Sequence, residues 1–318
     1  MAWSETVWPP AVAVTETLTN FPVLVRLASD ASLVSRALST GADIYFQDAG
    51  GNVLSHELES YTAASGALAA WVMLPSIPNA AVTEFYMYYG DLEDHTLNGT
   101  GVWDANFDAV WHLRENPASA SSLRDSTGNG RHQIAGGAGT SYALTPTTDA
   151  ASLIGNGVLL NAADEWVSFG NILTSGSVMT ASAWWKSPAA LSAQHPVLSN
   201  SNASLSAWTL GGGDIAGKAQ ARIYNGAPGT FGLTPAAAVV VNAWHHLTMV
   251  FDGAGLTSGD KLKMYVNGLP VAATFTGTIP TMFSSPGATM RLGHYQWSPG
   301  VTANGTVDEV HVSRTARS

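Results

Sequence analysis

Carboxylate pairs are the first chemistry to look for, because hydrolysis of a glycosidic bond needs two of them, about 5–5.5 Å apart in retaining enzymes. On a strand only residues i and i+2 project from one face. Glu57 and Glu59 have that spacing and read as a solvated strand face. Asp164-Glu165 and Asp308-Glu309 are adjacent, so an extended backbone turns the members of each pair to opposite faces. Cysteine is absent and no Gly-x-Ser-x-Gly elbow occurs, which leaves neither a thiol nor a serine nucleophile motif. Gly211-Gly212-Gly213 lacks the Lys-Ser/Thr of a phosphate loop and reads as a turn between strands. His245 and His246 are neighbours that point oppositely on a strand, and no His-x-His or His-Glu-x-x-His spacing occurs. These patterns describe a protein that is not an enzyme.

Binding chemistry is better represented. A hard cation such as Ca2+ takes six to eight oxygens, often from a glycine-containing loop. Asp125 and Asn129, in a loop with Gly128 and Gly130, offer that donor set. The same Asp125 can instead cap its own turn, as Asx turns do. Sugar rings present flat C–H faces that match an aromatic side chain. Trp71, Trp111, Trp184 and Trp244 lie within alternating strands and are assigned to the core. The aromatic and imidazole groups in loop-like contexts are His294, Tyr295 and Trp297, then Trp208, and Trp166 beside Asp164 and Glu165. These are the expected ligand-binding residues.

The elements that must position these groups follow from composition. The chain has 318 residues, enough for two cores, and only 11% are charged, too few to coat long surface helices. With 32 Gly and 15 Pro as punctuation, the class is all-β, and two tandem β-sandwich domains are expected. The net charge of −10 and four lysines exclude a nucleic-acid partner. No stretch reaches 18 uncharged apolar residues, so no membrane insertion is expected. The start, Met1-Ala2-Trp3-Ser4-Glu5, shows no signal peptide. One short helix is expected near 31–38, capped by Asp30, with Leu33, Val34, Ala37 and Leu38 on one face and Gly41 as its stop. Asp48-Ala49-Gly50-Gly51-Asn52 and Asn267-Gly268 read as hairpin turns. In 85–89, Phe85, Met87 and Tyr89 share one strand face and Tyr86 and Tyr88 the other, with both faces covered. Residues 92–104 read as a linker between a small sandwich at 1–91 and a larger one at 105–318.

Four segments of the second half carry a family resemblance: 110–115 with 123–132, which includes Asp125-Ser126-Thr127-Gly128-Asn129-Gly130; Gly155-Asn156-Gly157 leading to Trp166-Val167; Trp244-His245-His246-Leu247 with Tyr265-Val266-Asn267-Gly268; and 305–310. In that order they resemble the laminin-G-like, or concanavalin A-like, jelly-roll superfamily. The first hundred residues resemble a domain of unknown function that precedes such sandwiches in bacterial and phage surface proteins, through 21–25, 41–46, 70–72 and 88–90. The resemblance implies a structural calcium near the paired terminal strands, with Asp308 as a ligand. Glucanase relatives carry Glu-x-Asp-x-x-Glu on one strand, a motif absent here. Two functions stay open. One is a non-catalytic recognition or adhesion module for glycan or protein on a cell or virion exterior. The other is a structural phage protein, a capsid or tail decoration whose sandwiches pack against capsid or tail proteins or form a homo-oligomer.

Overall fold

Alternating apolar and polar residues become strands nearly everywhere in the chain. The structure, a computed structural model, describes residues 14, 16–79, 81–91, 93–95, 99–117, 121–134, 147–149, 152–160, 165–188, 194–202, 204, 206–213, 215–225, 231–235, 238–296 and 301–317. It divides into two compact units, Met1–Ala105 and Asn106–Ser318. No described helix is long and apolar enough to cross a membrane.

The first unit holds β1 (Leu18–Leu27), α1 (Ala31–Arg36), β2 (Tyr45–Asp48), β3 (Val53–Leu54), β4 (His56–Thr62), β5 (Ala67–Ile77) and β6 (Phe85–Tyr88). They form two three-stranded sheets, β1-β5-β4 and β3-β2-β6. Leu68, Ala70, Val72 and Leu74 alternate along β5 and meet Phe46, Leu54 and Leu33 in one core. Asp30 caps α1 as expected, its Oδ1 accepting the Ser32 and Leu33 amides at 2.8 and 2.9 Å. The helix is shorter than expected, because the chain turns extended at Ala37 and the Leu38 amide donates to Asp43. Val34 is consequently exposed, and Gly41 serves a later turn at φ +74°. The outer side of β6 is also more open than expected: Tyr88 stacks on Tyr45 at 5.3 Å, while Tyr86 is 39% exposed. The segment expected as a linker ends inside this unit. Gly99–Val102 form a 3-10 turn, Val102 is buried, and Trp103 packs on Trp71 at 5.4 Å.

The second unit runs through β7 (Phe107–Trp111), β8 (Thr147–Asp149), β9 (Gly157–Leu160), β10 (Val167–Gly170), β11 (Ser175–Gly176), β12 (Val178–Lys186), β13 (His195–Ser201) and β14 (Ser206–Gly212). It continues with β15 (Ala219–Ile223), β16 (Phe231–Leu233), β17 (Trp244–Asp252), β18 (Leu262–Val266), β19 (Leu269–Val271), β20 (Thr274–Thr276), β21 (Phe283–Ser284), β22 (Thr289–Leu292) and β23 (Gly305–Ser313). Seven strands order as β10-β22-β13-β14-β15-β16-β20. An eight-stranded sheet orders as β19-β18-β17-β12-β23-β9-β8, with β7 added against β23. A single core between them contains Trp111, Trp185, Trp208, Phe251 and Phe283. The β18–β19 turn places Asn267 at φ +53° and Gly268 at φ +75°, the type I′ geometry its sequence announces. Leu262, Met264 and Val266 point inward and Lys263 outward, as expected.

Of the four tryptophans assigned to the core, only Trp111 is fully buried. Trp184 and Trp244 are half-buried. On β12 the core parity belongs to Met179, Ala181, Ala183 and Trp185, so Trp184 shares the other face with Ser182. With two tryptophans side by side, either parity suits the sequence.

Candidate functional site

Register turns residues from distant segments into one row on the seven-stranded sheet. Ser168 on β10 faces Arg291 on β22, Arg291 faces Ser199 on β13, Ser199 faces Thr209 on β14, and Thr209 faces Arg222 on β15. Cross-strand partners share a face, so these five polar side chains lie side by side on the face turned away from the core. The next row, Leu292, Leu198, Leu210 and Ala221, is apolar and lies in the core. Four strand spacings separate Ser168 from Arg222, a span of about 19 Å. Every member of the polar row is buried.

Three of the expected ligand-binding residues gather at this row. Trp166 immediately precedes β10, and the Arg291 guanidinium lies 3.8 Å from the centre of its ring. Past β22, Gly293 turns at φ +82° and leads His294, Tyr295 and Gln296 back over β13. Ser199 Oγ donates to the His294 carbonyl at 2.5 Å, and the Gln296 amide donates to Ser201 Oγ at 3.1 Å. Tyr295 then reaches Arg222, whose Cζ is 5.9 Å from its ring centre. This strap divides the row into an Arg291–Trp166 half and an Arg222 half. In the second half Arg222 donates to Tyr224 Oη at 3.3 Å and to Gln220 Oε1 at 3.2 Å.

The other two behave differently. Trp208 is no loop residue. It sits within β14 on the core side, fully buried, with Nε1 donating to the Leu173 carbonyl at 3.1 Å. Trp297 lies outside the described residues. Sequence reasoning missed Arg222, Gln220, Arg291, Ser199 and Thr209. The signal for the first two was present in Ala219-Gln220-Ala221-Arg222-Ile223, where small or apolar residues alternate with long polar ones.

Each of the three residues expected as calcium ligands is hydrogen-bonded within the fold. The Asp125 carboxylate accepts from the Val110, Thr127 and Arg131 amides and from Thr127 Oγ1, at 2.8 to 3.1 Å. Asn129 spends its Nδ2 on the Phe107 and Asp108 carbonyls. Asp308 accepts the Ile154 and Glu309 amides at 3.0 Å. N–H and O–H donors thus surround the Asp125 carboxylate, and each oxygen of Asp308 accepts one backbone amide. The Asp125 loop is instead a capped turn that locks 125–131 onto β7.

Carboxylate chemistry is likewise absorbed internally. Adjacent Asp308 and Glu309 were expected on opposite faces, but β23 bulges there, with Glu309 at φ +48° and register shifted against β12. Both side chains are buried. Glu309 receives His112 Nδ1 at 2.9 Å and His311 Nε2 at 3.2 Å. Burial pushes its pKa up, but the adjacent His112 outweighs that and holds the carboxyl well below the usual range. Asp308 moves the other way, raised by burial and then by the Glu309 charge. In the first unit Glu57 and Glu59 are not a solvated face either: Trp103 Nε1 donates to Glu57 at 3.2 Å and Trp71 Nε1 to Glu59 at 3.1 Å.

One acid-sensitive element lies beside this cluster. His246 packs against Trp184 with ring centres 5.0 Å apart, and burial, reinforced by His311 and opposed by Glu309, lowers its pKa to about 4. The fold therefore favours the neutral imidazole. That stability is full above the unfolded value of 6.5 and is lost as pH falls from 6.5 toward 4. We expect His246 to contribute about 2 kcal/mol to the difference in stability between pH 7 and pH 4.5. Urea melts of wild type and His246→Phe check this; an unchanged pH slope in the variant would contradict it.

Comparison with known families fits this architecture. Residues 161–318 match the Concanavalin A-like lectin/glucanases superfamily, and residues 40–115 match a Domain of unknown function (DUF2341), whose match runs past the structural boundary at Ala105. No curated protein matches the chain. Similar solved structures include domain 4 of AbnA, a GH43 extracellular arabinanase from Geobacillus stearothermophilus, in complex with arabinotriose. It is 20% identical and covers 68% of this chain and 96% of that one, with a TM-score of 0.44. The Ruminococcus gnavus IT-sialidase CBM40 bound to alpha2,3 sialyllactose is 15% identical, covering 51% of this chain and 91% of that one, TM-score 0.39. A Trypanosoma rangeli sialidase is 13% identical and covers 68% of this chain but 31% of its own, TM-score 0.43. Residues 161–318 of this chain thus match the model of the concanavalin A-like lectin/glucanase superfamily, and residues 40–115, ahead of them, match that of DUF2341.

Proposed function

We propose that this chain is a non-catalytic glycan-binding protein of the cell exterior, with its binding surface on the outward face of the seven-stranded sheet. The observation that carries this reading is the polar row Ser168–Arg291–Ser199–Thr209–Arg222. Polar groups cost free energy when withdrawn from water, and a fold stabilised by its apolar core has no need of two guanidiniums on the opposite face. Hydroxyl, amide and guanidinium groups match the alternating donors and acceptors of a sugar, and Trp166 and Tyr295 supply aromatic surface beside them. The match of residues 161–318 to the concanavalin A-like lectin/glucanases superfamily supports the same class of ligand.

The test is a glycan array followed by calorimetry on the best binder, with Trp166→Ala and Arg291→Ala as variants. We expect each variant to weaken binding about tenfold or more while circular dichroism stays that of the wild type. Incubation with the bound glycan is expected to release no shorter products. An array without a single binder would overturn the reading, and cleavage of the ligand would overturn its non-catalytic part.

A further inference from the structure

Charge is shared unequally between the two units. Met1–Ala105 carries twelve Asp and Glu residues against two arginines and no lysine, whereas Asn106–Ser318 carries eleven of each sign. The whole net charge of −10 therefore falls on the first unit, and a surface of one sign attracts partners of the other. Within that unit the sheet β3-β2-β6 keeps one face out of the core. Val53 pairs with Gln47 and Gln47 with Tyr86, while Tyr45 pairs with Tyr88, so these five side chains share the face opposite Phe46, Leu54 and Met87. Val53 and Tyr86 are exposed, and the Tyr45 and Tyr88 rings stack with their planes 19° apart. Carboxylates edge these rings. Tyr86 Oη donates to Glu84 at 3.4 Å, Asp91 accepts from His95 Nε2 at 2.6 Å, and the His95 ring lies 4.2 Å from that of Tyr45. Glu84, Asp91 and Glu93 are all exposed. The Tyr45 hydroxyl feels them: burial first, then the Asp91 charge and further on that of Glu93, raise its pKa. Neither arginine of the unit belongs to this sheet, since Arg26 lies in β1 and Arg36 in α1.

We infer that this outward face of β3-β2-β6 docks an arginine-bearing segment of a basic partner protein. A tyrosine ring attracts a cation to its face, and a planar guanidinium can lie flat on it while its N–H fork reaches the carboxylates alongside. A lysine ammonium is a strongly hydrated point charge and gains less from the same rings. Three strands make a face about 10 Å across, which suits one extended segment and is too narrow for the standard interface between two folded proteins. The surplus of carboxylates in the unit draws such a segment in, and the tyrosines select within it. The face lies in the unit that the glycan-binding reading does not use, so the two stand or fall separately.

Fluorescence anisotropy of labelled hexaarginine, titrated with the full chain at low salt, tests this. We expect saturable binding that weakens as salt rises, with hexaarginine held several-fold tighter than hexalysine. Tyr86→Ala and Glu84→Gln are each expected to weaken hexaarginine about threefold or more. Both changes fall at exposed positions, and melting temperatures equal to that of the wild type show that the fold is kept. Glu16→Gln makes the same charge change at an exposed site ahead of β1, in the other sheet, and is expected to leave binding unchanged. An equal loss in Glu16→Gln and in the two face variants would show a diffuse charge effect and overturn the docking face. Spermine, a polyamine without a guanidinium, bound as tightly as hexaarginine would overturn the arginine assignment, and no binding of hexaarginine at low salt would overturn the whole.

Discussion

Trp208→Ala is expected to destabilise the second unit by about 3–5 kcal/mol, among the largest losses available from a single side chain. Trp208 is fully buried in the core between the two sheets, where its cross-strand partners are Asn200 and Ile223. Truncation removes the indole's contacts and leaves a cavity that two hydrogen-bonded sheets close only in part. The Leu173 carbonyl also loses the donor that Nε1 supplies. For a unit of this size the loss corresponds to a fall in melting temperature of roughly 10 °C. Trp208→Phe keeps most of the apolar volume and is expected to cost less than half as much. Thermal melts of the two variants decide between a core tryptophan and a ligand platform. A platform would lose glycan affinity in both variants and keep its melting temperature.

Glu309→Ala is expected to cost about 3–5 kcal/mol, for an electrostatic reason. Glu309 is buried with both carboxylate oxygens within 2.9 Å of His112 Nδ1, and His311 Nε2 also reaches it. Removing the carboxylate leaves His112 buried without this partner. The effect has a pH signature whose sign follows from the lowered pKa of Glu309. The ionised form is favoured in the fold, so its contribution is present above the unfolded carboxylate range and is lost as pH falls through that range and below. Asp308 opposes this, since its raised pKa makes its ionised form a burden near neutral pH. Glu309→Gln keeps the shape and removes the charge. It relieves Asp308 and is expected to cost less than Glu309→Ala. Urea unfolding at pH 7 gives the comparison; equal stability of wild type and Glu309→Ala would show that the buried pair contributes nothing.

Much of the framework was legible in the sequence because it depends on neighbours in the chain. Asp30 caps a helix through amides two and three residues on. Asn267-Gly268 closes a hairpin by adopting two positive φ angles. Asp48 organises its turn through the Gly50 and Asn52 amides. The boundary between the two units lies at Ala105, at the end of the expected linker, where Trp103 packs back on Trp71.

The sequence by itself determined that this chain is all-β and where most of its turns fall. Only the tertiary structure decided which side of each strand meets the core. Parity is set by pairing partners far away in the chain, so Trp185 faces inward and Trp184 outward although the two are chemically the same. The bulge at Glu309 reverses parity in mid-strand, something an extended pattern cannot express. The polar row comes from five strands between Ser168 and Arg291, and it exists only once hydrogen-bonded registers set those residues side by side.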